Sequence, residues 1–492
     1  MKLNLYNTAS KKISEFKPII EGEIGLYACG PTVYDFAHIG HLRKFTMDDV
    51  LIRALKYGNK ELKIQPYKVT FVQNITDVGH LTSDGDTGED KLEKGSKKYG
   101  QTVWDIAKKF TEHFHRSMKL MGNTDPDVTG VVTEHIQEQL DLVIKLEKKG
   151  FAYVIEKDGV YFDTSKFPKY GKMAGLNLED QEEGARIGIV EGKRNPADFA
   201  LWKFEREGEN RQMSWKSPWA EKSFPGWHIE CSAIGMKYLG EQFDIHTGGI
   251  DHIPVHHTNE IAQSEAASGK SPFVKCWVHH NFLKVDGTKM SKSLGNFYTI
   301  DDVLERGFHP LALRLLFLTA HYRSEMNFTW ENLSGAQKAY QKLIKNVAFL
   351  LDFTTKNDAG FSQDKNQQKS VQDYFNKFLE SIKNDLNTAQ SISVMWSVVS
   401  DKELSITNKK ILLLEFNKIL GLGLERAEEI LNQFSTNNQT IVPVEIQTLL
   451  DQRKQVRADK NFIESDRLRD LILEKGYKVL DLANEQKIEK ID

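Results

Sequence analysis

In the stretch Cys29-Gly30-Pro31 through His38-Ile39-Gly40-His41, a thiol and two imidazoles share one short bend. Farther along, Cys231 lies in "GWHIECSAI" and His256 and Glu260 lie in "PVHHTNE". On a helix, His256 and Glu260 stand at i and i+4 and share one face. Two cysteines, a histidine and a carboxylate are a plausible zinc donor set, although spacing alone does not bring Cys29 to the other three. The segment "KVDGTKMSKSLGN" places Lys289 and Lys292 between Gly287 and Gly295. Lysines on such a hinged loop can close over a triphosphate and neutralise charge that develops during phosphoryl chemistry. Each feature also has a plainer reading: a histidine beside a helix cap, a chance His/Glu pair, a solvated Lys/Ser loop. Gly40 favours the functional reading, because a position without a side chain lets a ligand approach the backbone.

The elements that must carry these residues form an α/β pattern. "EIGLYAC" (23–29) alternates as a strand and ends at Gly30-Pro31. A helix is predicted over 39–57, stopped by Gly58, and a second strand over 67–73. Strand, helix and strand with short joints make a βαβ unit with a right-handed crossover and a parallel sheet. Ligands of such sheets bind beyond the carboxyl ends of the strands. Cys29, His38 and His41 fall at that edge, the histidines at a helix N-terminus whose free N–H groups suit phosphate. A second α/β half follows: helix 226–240, strand 243–249, helix 254–268 and strand 273–279, leading into the lysine loop. Beyond 310 the pattern is helical, over 310–323 and 334–353, with a polar loop at 356–370. A polar linker at 432–443 precedes a short tail.

Composition narrows the class. The chain has 492 residues, 40% hydrophobic and 27% charged, more than one ordinary domain holds. Neither a signal-peptide core nor an apolar run of membrane-spanning length occurs, so no membrane partner is expected. Three cysteines far apart do not make a disulfide framework, which points to the cytoplasm. The net charge of −3 gives no global basic footprint, so nucleic-acid binding must rest on local patches.

The two signatures His38-Ile39-Gly40-His41 and Lys289-Met290-Ser291-Lys292-Ser293 match, in order, the HIGH and KMSKS motifs of class I aminoacyl-tRNA synthetases. Within that class the chain resembles the cysteinyl-tRNA synthetases. The stretches that carry this include "YACGPTVYDFAHIGH", "VQNITDV", "KRNPADFALWK", "GWHIECSAI", "FDIHTGGIDHIPVHHTNEIAQ", "KMSKSLGNF" and "AHYRSEMNFTWENL". The likeness runs to about residue 480. It implies zinc held by Cys29, Cys231, His256 and Glu260 and taking the substrate thiolate as a further ligand. It implies a cysteine pocket lined by Thr76, Trp227 and His246. It assigns His38, His41, Lys289 and Lys292 to catalysis on ATP, with Gly40, Gly248, Asp251 and Lys292 binding the nucleotide and Mg²⁺ accompanying it.

The implied fold is a Rossmann-like parallel-sheet catalytic domain with an inserted domain, then a C-terminal helical bundle and a small terminal module. Its expected divisions are 1–120 and 226–309 for the catalytic halves, 121–225 for the connective insertion facing the tRNA acceptor end, 310–440 for the stem-contact and bundle region, and 441–492 for an anticodon-binding module. The expected partners are L-cysteine, ATP and tRNA(Cys), and the expected state is a monomer. In the tail, Arg453, Lys454, Arg457, Lys460, Arg467 and Arg469 are interleaved with acids; the family likeness assigns them to the anticodon, and a solvated helical face is the alternative. The chain departs from relatives in a longer insertion at 79–96, in Ile250 and "HIP" (252–254), and in a tail without the usual tryptophan. Two other readings use the same residues: a cysteine ligase paralogue that acylates an aminosugar, and a non-catalytic tRNA-binding paralogue. The terminal region argues against the first and the intact signatures against the second.

Overall fold

The computed structural model describes residues 2–60, 64–79, 90–176, 190–354, 365–437, 444–459, 461–481 and 486–490. Most of the 79–96 insertion, the polar loop from 356 to 364, the end of the 432–443 linker and Lys460 lie outside the described residues.

The central sheet is built from β1 (Glu23–Ala28), β2 (Lys68–Ile75), β3 (Val128–Val131), β4 (Phe243–Gly249) and β5 (Val274–His280). Its spatial order is β5-β4-β1-β2-β3, and every neighbouring pair is parallel. The order reverses between β1 and β4, which opens a crevice beyond their carboxyl ends. Strands buried on both faces read as near-continuous apolar runs, and "FVQNI" in β2 is buried throughout. The strand Val128–Val131 pairs with β2 in this sheet, although it lies past residue 120, where the sequence puts the insertion.

Helix α1 (Ile39–Lys56) is the crossover from β1 to β2. It is buried on almost every side, so its charged residues must be paired inside the protein. Arg43 is 2% exposed and donates to the carbonyl oxygens of Asn281, Phe282, His321 and Ser324 at 2.8–3.0 Å. These four bonds tie the start of α1 to segments on both sides of the lysine loop. Helix α2 (Trp227–Leu239) leads into β4, and α3 (His256–Ser268) crosses from β4 to β5. Between the halves, strands Ala152–Ile155, Gly159–Phe162, Phe199–Phe204 and Ser223–Pro225 form an antiparallel sheet in chain order. Its aromatic core of Phe162, Phe199 and Trp202 packs with Ile229 and Ala233 of α2 and Ala262 of α3.

Helices Trp330–Thr354, Lys365–Lys383, Thr388–Ser400 and Ile406–Leu420 follow. The chain divides into two compact units, and the second comprises Gln341–Phe349 and Glu425–Asp492. In that unit helices Val444–Ala458 and Phe462–Glu474 and the hairpin Tyr477–Asp481/Gln486–Lys490 enclose Ile446, Ile472 and Val479. Arg453 is 1% exposed and makes a bidentate pair with Asp481 at 2.8 and 2.9 Å. It is therefore a core residue of this unit rather than a free surface cation. Arg457, Arg467 and Arg469 are also paired, with Asp481, Glu464 and Asp466.

Candidate active site

Two groups of side chains lie at the carboxyl ends of the sheet strands and the start of α1, called the metal pole and the nucleotide pole after the roles that the sequence leads us to expect. At the metal pole, Cys29 follows β1, Cys231 stands one turn into α2, and His256 and Glu260 start α3. One ligand atom from each of Cys29, His256, His257 and Glu260 lies within 4.8 Å of the others, and all four residues are buried. Cys231 adjoins this group with its sulfur 4.0 Å from that of Cys29. The carboxylate of Glu260 meets His256 Nε2 at 3.0 Å and His246 Nε2 at 2.9 Å. Burial lowers the basicity of His256, but the Glu260 carboxylate and the Cys29 sulfur together outweigh it and raise the imidazole to about 10. Burial likewise works against an ionised Cys29, yet the contact with Cys231 and the imidazoles of His257 and His246 hold its thiol well below the usual value. Cys231 is pushed up, first by that same contact and then by burial. A buried carboxylate and a thiol poised to ionise, ringed by imidazole nitrogens, make a donor set that suits a divalent cation.

Outer groups orient these donors. His228 Nδ1 lies 2.9 Å from His256 Nδ1, which leaves Nε2 of His256 facing Glu260. His257 Nε2 lies 3.3 Å from the Cys29 sulfur, while its Nδ1 meets His279 Nε2 at 2.7 Å. His279 in turn bonds Thr8 Oγ1 at 2.7 Å. Second partners of this kind fix the tautomer and aim of metal-ligating imidazoles. Among the residues assigned to the cysteine pocket, Trp227 stacks obliquely on His256, with centroids 4.5 Å apart. His246 is wholly buried behind Glu260 and stacks on Trp277. Thr76 is buried beside Glu230.

At the nucleotide pole His38 is the N-cap of α1. Its Nδ1 accepts from Gly40 N–H at 3.1 Å and His41 N–H at 3.3 Å, and His38 N–H donates to His41 Nδ1 at 3.3 Å. The rings stack with centroids 3.7 Å apart. This capping box is built from two histidines. Because each Nδ1 accepts a backbone proton, each neutral ring carries its own proton on Nε2 and can donate it to an anion. Burial pushes His38 down to about 4, so the ring stays neutral at physiological pH.

The lysine loop closes against this cap. Ile39 N–H donates to Tyr298 O at 2.8 Å, and His38 and Thr299 form an antiparallel bridge. A Cβ on Gly40 would sit 2.7 Å from Met290 Cε and 2.9 Å from His38 Cε1. Gly40 is therefore the position that lets Met290 approach the turn. Asn296 holds the loop from within, accepting from Ser291 N–H at 2.8 Å and donating to Thr288 Oγ1 at 3.0 Å. Lys292 pairs with Asp35 and lies over the Phe297 ring at 5.1 Å, and Lys289 is exposed. Gly248 is the penultimate residue of β4, and a Cβ there would lie 2.4 Å from the His257 ring. Asp251 stands exposed in the short turn that follows.

The family profile described as "tRNA synthetases class I (C) catalytic domain" matches residues 15–339. A cysteine–tRNA ligase of Treponema denticola is 40% identical over 504 residues, covering 100% of both chains. Cysteine–tRNA ligase 1 of Burkholderia lata is 41% identical, covering 99% of this chain and 97% of its own. The chain belongs to the cysteine–tRNA ligase family of class I synthetases. Solved structures of that class share the fold. A Mycobacterium tuberculosis methionyl-tRNA synthetase bound by methionyl-adenylate aligns with a TM-score of 0.55 at 13% identity, over 84% of this chain and 93% of its own. The Agrobacterium radiobacter K84 LeuRS–tRNA–LeuAMS complex aligns with a TM-score of 0.59 at 12% identity, over 85% of this chain and 86% of its own.

The sequence-assigned residues thus gather at one edge of the sheet. His257, which sequence reasoning did not single out, is as central to the metal pole as His256. Its signal was present in the doubled histidine of "VHHTNE". Among the described residues no helix is long and apolar enough to cross a membrane.

Proposed function

We propose that this chain activates L-cysteine with ATP and transfers the cysteinyl group to the 3′-terminal adenosine of tRNA(Cys), with zinc held by Cys29, Cys231, His256 and Glu260. The observation that carries the proposal is the buried grouping of Cys29, His256 and Glu260 with His257, with the Cys231 sulfur beside that of Cys29. Two sulfurs bound to one tetrahedral zinc at about 2.3 Å lie about 3.8 Å apart, and those of Cys29 and Cys231 are 4.0 Å apart. Zinc when bound supplies a preference for thiolate over alcohol. That preference answers a real difficulty, because an apolar pocket separates near-isosteres by only about 10- to 200-fold. Glu260 and His256 fix the donor geometry, Trp227 walls the pocket, and the mostly buried surroundings exclude water.

The residues of the nucleotide pole act on ATP. His38 and His41 donate from Nε2 to phosphate oxygens at the start of α1, where free N–H groups add to the attraction. Gly248, near the end of β4, and Asp251, in the turn after it, bind the adenosine part of ATP, and Mg²⁺ travels with ATP, held largely by phosphates and water. Lys292, released from Asp35, and Lys289 neutralise charge on the phosphates as the substrate carboxylate attacks the α-phosphorus and pyrophosphate leaves. The adenosine hydroxyl of the tRNA then attacks the acyl carbon, and AMP departs.

The test is pyrophosphate exchange with cysteine and with serine, alongside metal analysis of the purified protein. The expected result is about one zinc per chain, consistent with a single four-ligand site, and exchange that depends on cysteine. Equal exchange with serine, or none with either, would sink the assignment.

A further inference from the structure

Cys29 and Cys231 stand 202 residues apart in sequence, and something must set the distance between their sulfurs. A single line of hydrogen bonds runs from the residue after the first to the residue before the second. Gly30 N–H donates to Asn74 Oδ1 at 2.7 Å. Asn74 Nδ2 donates to Thr76 Oγ1 at 3.0 Å, and the Thr76 hydroxyl donates to Glu230 Oε2 at 3.0 Å. Glu230 is the peptide neighbour of Cys231. Asn74 and Thr76 are each 2% exposed and Glu230 is 0% exposed.

The direction of this line is forced. A peptide N–H can only donate, so the Asn74 atom facing Gly30 is the carbonyl oxygen and its amide nitrogen faces Thr76. Thr76 oxygen accepts there, and its proton is free to go to Glu230. Backbone bonds clamp the same segment: Thr76 N–H donates to Pro31 O and Val33 N–H to Thr76 O, both at 3.0 Å. A Cβ on Gly30 would lie 1.6 Å from the Asn74 backbone carbonyl oxygen, so the turn closes on β2 only with glycine there.

We propose that Asn74 and Glu230 are positioning residues of the metal pole: their bridge through Thr76 sets the separation of Cys29 and Cys231 and so the affinity for the ion. The inference rests on the zinc reading of those cysteines. Buried polar groups in such a line cost free energy if any member loses its partner, so the line holds its length. Its two ends are on the residues next in sequence to the two cysteines. Strain placed anywhere along it appears as a change in sulfur–sulfur distance.

The full-length protein is loaded with zinc or cobalt(II), and affinity is read by competition with a chromogenic chelator. The cobalt ligand-field and thiolate-to-metal bands report the donor geometry. Asn74→Asp keeps the acceptor for Gly30 but removes the donor to Thr76. Glu230→Gln keeps an acceptor for Thr76. Asn74→Asp is expected to weaken zinc by about 10- to 100-fold and to shift the cobalt bands, with Glu230→Gln within about threefold of the unsubstituted protein. Glu230→Leu, if it folds, should behave like Asn74→Asp. Unchanged affinity and bands in Asn74→Asp would overturn the inference, as would a lowered melting temperature with unaltered bands. A loss in Glu230→Gln as large as in Asn74→Asp would also overturn it, because charge rather than the bridge would then matter. An unsubstituted protein that binds no zinc at all would sink the zinc reading and this inference with it.

Discussion

Cys29, His256 and Glu260 at the metal pole are 4%, 2% and 0% exposed, whereas the Lys292 side chain at the nucleotide pole is 54% exposed and Lys289 also stands in solvent. The first group is held by neighbours that are themselves buried and bonded: His228, His246, His279, Thr76 and Glu230. The second sits on a loop that turns through left-handed positions at Asp286, Gly287 and Gly295, with φ of 48°, 75° and 68°. On the proposed function, selecting an amino acid by one heavy atom demands donors that do not yield. Enclosing a triphosphate and releasing pyrophosphate demands a segment that does. The contrast predicts that substitutions at the metal pole abolish binding, while those at the nucleotide pole mainly slow a step.

The largest effect belongs to Cys231→Ser. Serine keeps the shape but offers an alcohol that zinc holds poorly, so zinc retention and cysteine-dependent exchange should fall together by about a hundredfold or more. Cys276, buried in β5 and not among the grouped metal-ligating side chains, is the control. Its serine variant should retain zinc and exchange, although it can lose some stability because a free cysteine packs as a small hydrophobe. Full zinc content and exchange in Cys231→Ser would remove that residue from the ligand set.

Lys292→Ala should come next. If Lys292 acts as proposed, its ammonium matters most when charge moves onto the leaving phosphates, so the exchange rate should fall about a hundredfold while KM for cysteine changes less than about threefold. A rise in cysteine KM with an unchanged rate would contradict the division between the poles. Gly40→Ala tests how the two parts of the nucleotide pole meet. The added methyl group collides with Met290 Cε and the His38 ring. Methionine is flexible and can give way, whereas His38 is locked as the helix cap. About a tenfold rise in ATP KM is the scale expected for a displaced phosphate donor, and ATP titration of exchange measures it.

Much of this arrangement is legible in the chain, for identifiable reasons. β1, β4 and β5 lie within a residue of their predicted bounds because apolar runs ending at Gly, Pro or His leave little choice. Strand Val128–Val131 is harder, since "VTGV" is too short and too plain for a pattern to mark it. The meeting of Cys29 with Cys231 could not be read from spacing, because crossovers set it and not local periodicity. His257 is hidden for another reason. Adjacent helical residues normally point about 100° apart, so one histidine of a pair is expected to face water. Here α3 is buried on nearly all sides, from His256 through Ala267, and both rings turn inward. The pairing of Arg453 with Asp481 is likewise invisible in a tail whose acids and bases alternate.

The smallest expected effect concerns pH and the histidine cap. An unfolded chain protonates His38 near the ordinary value of 6.5, while burial in the folded protein lowers this to about 4. Between those values the unfolded state binds more protons, so stability is complete above pH 6.5 and declines as pH falls toward 4. Protonation also ends the cap, because Nδ1 can then no longer accept from Gly40 and His41 N–H. The ring is only half-buried, and solvent screens part of the penalty. His38→Asn isolates this contribution, since asparagine is a strong N-cap that does not titrate. Between pH 7 and 4.5 the unsubstituted protein should lose about 1–3 °C more in melting temperature than the variant. Parallel melting curves over that range would show that the cap histidine takes up its proton as readily folded as unfolded, and that its burial does not set the pH dependence of stability.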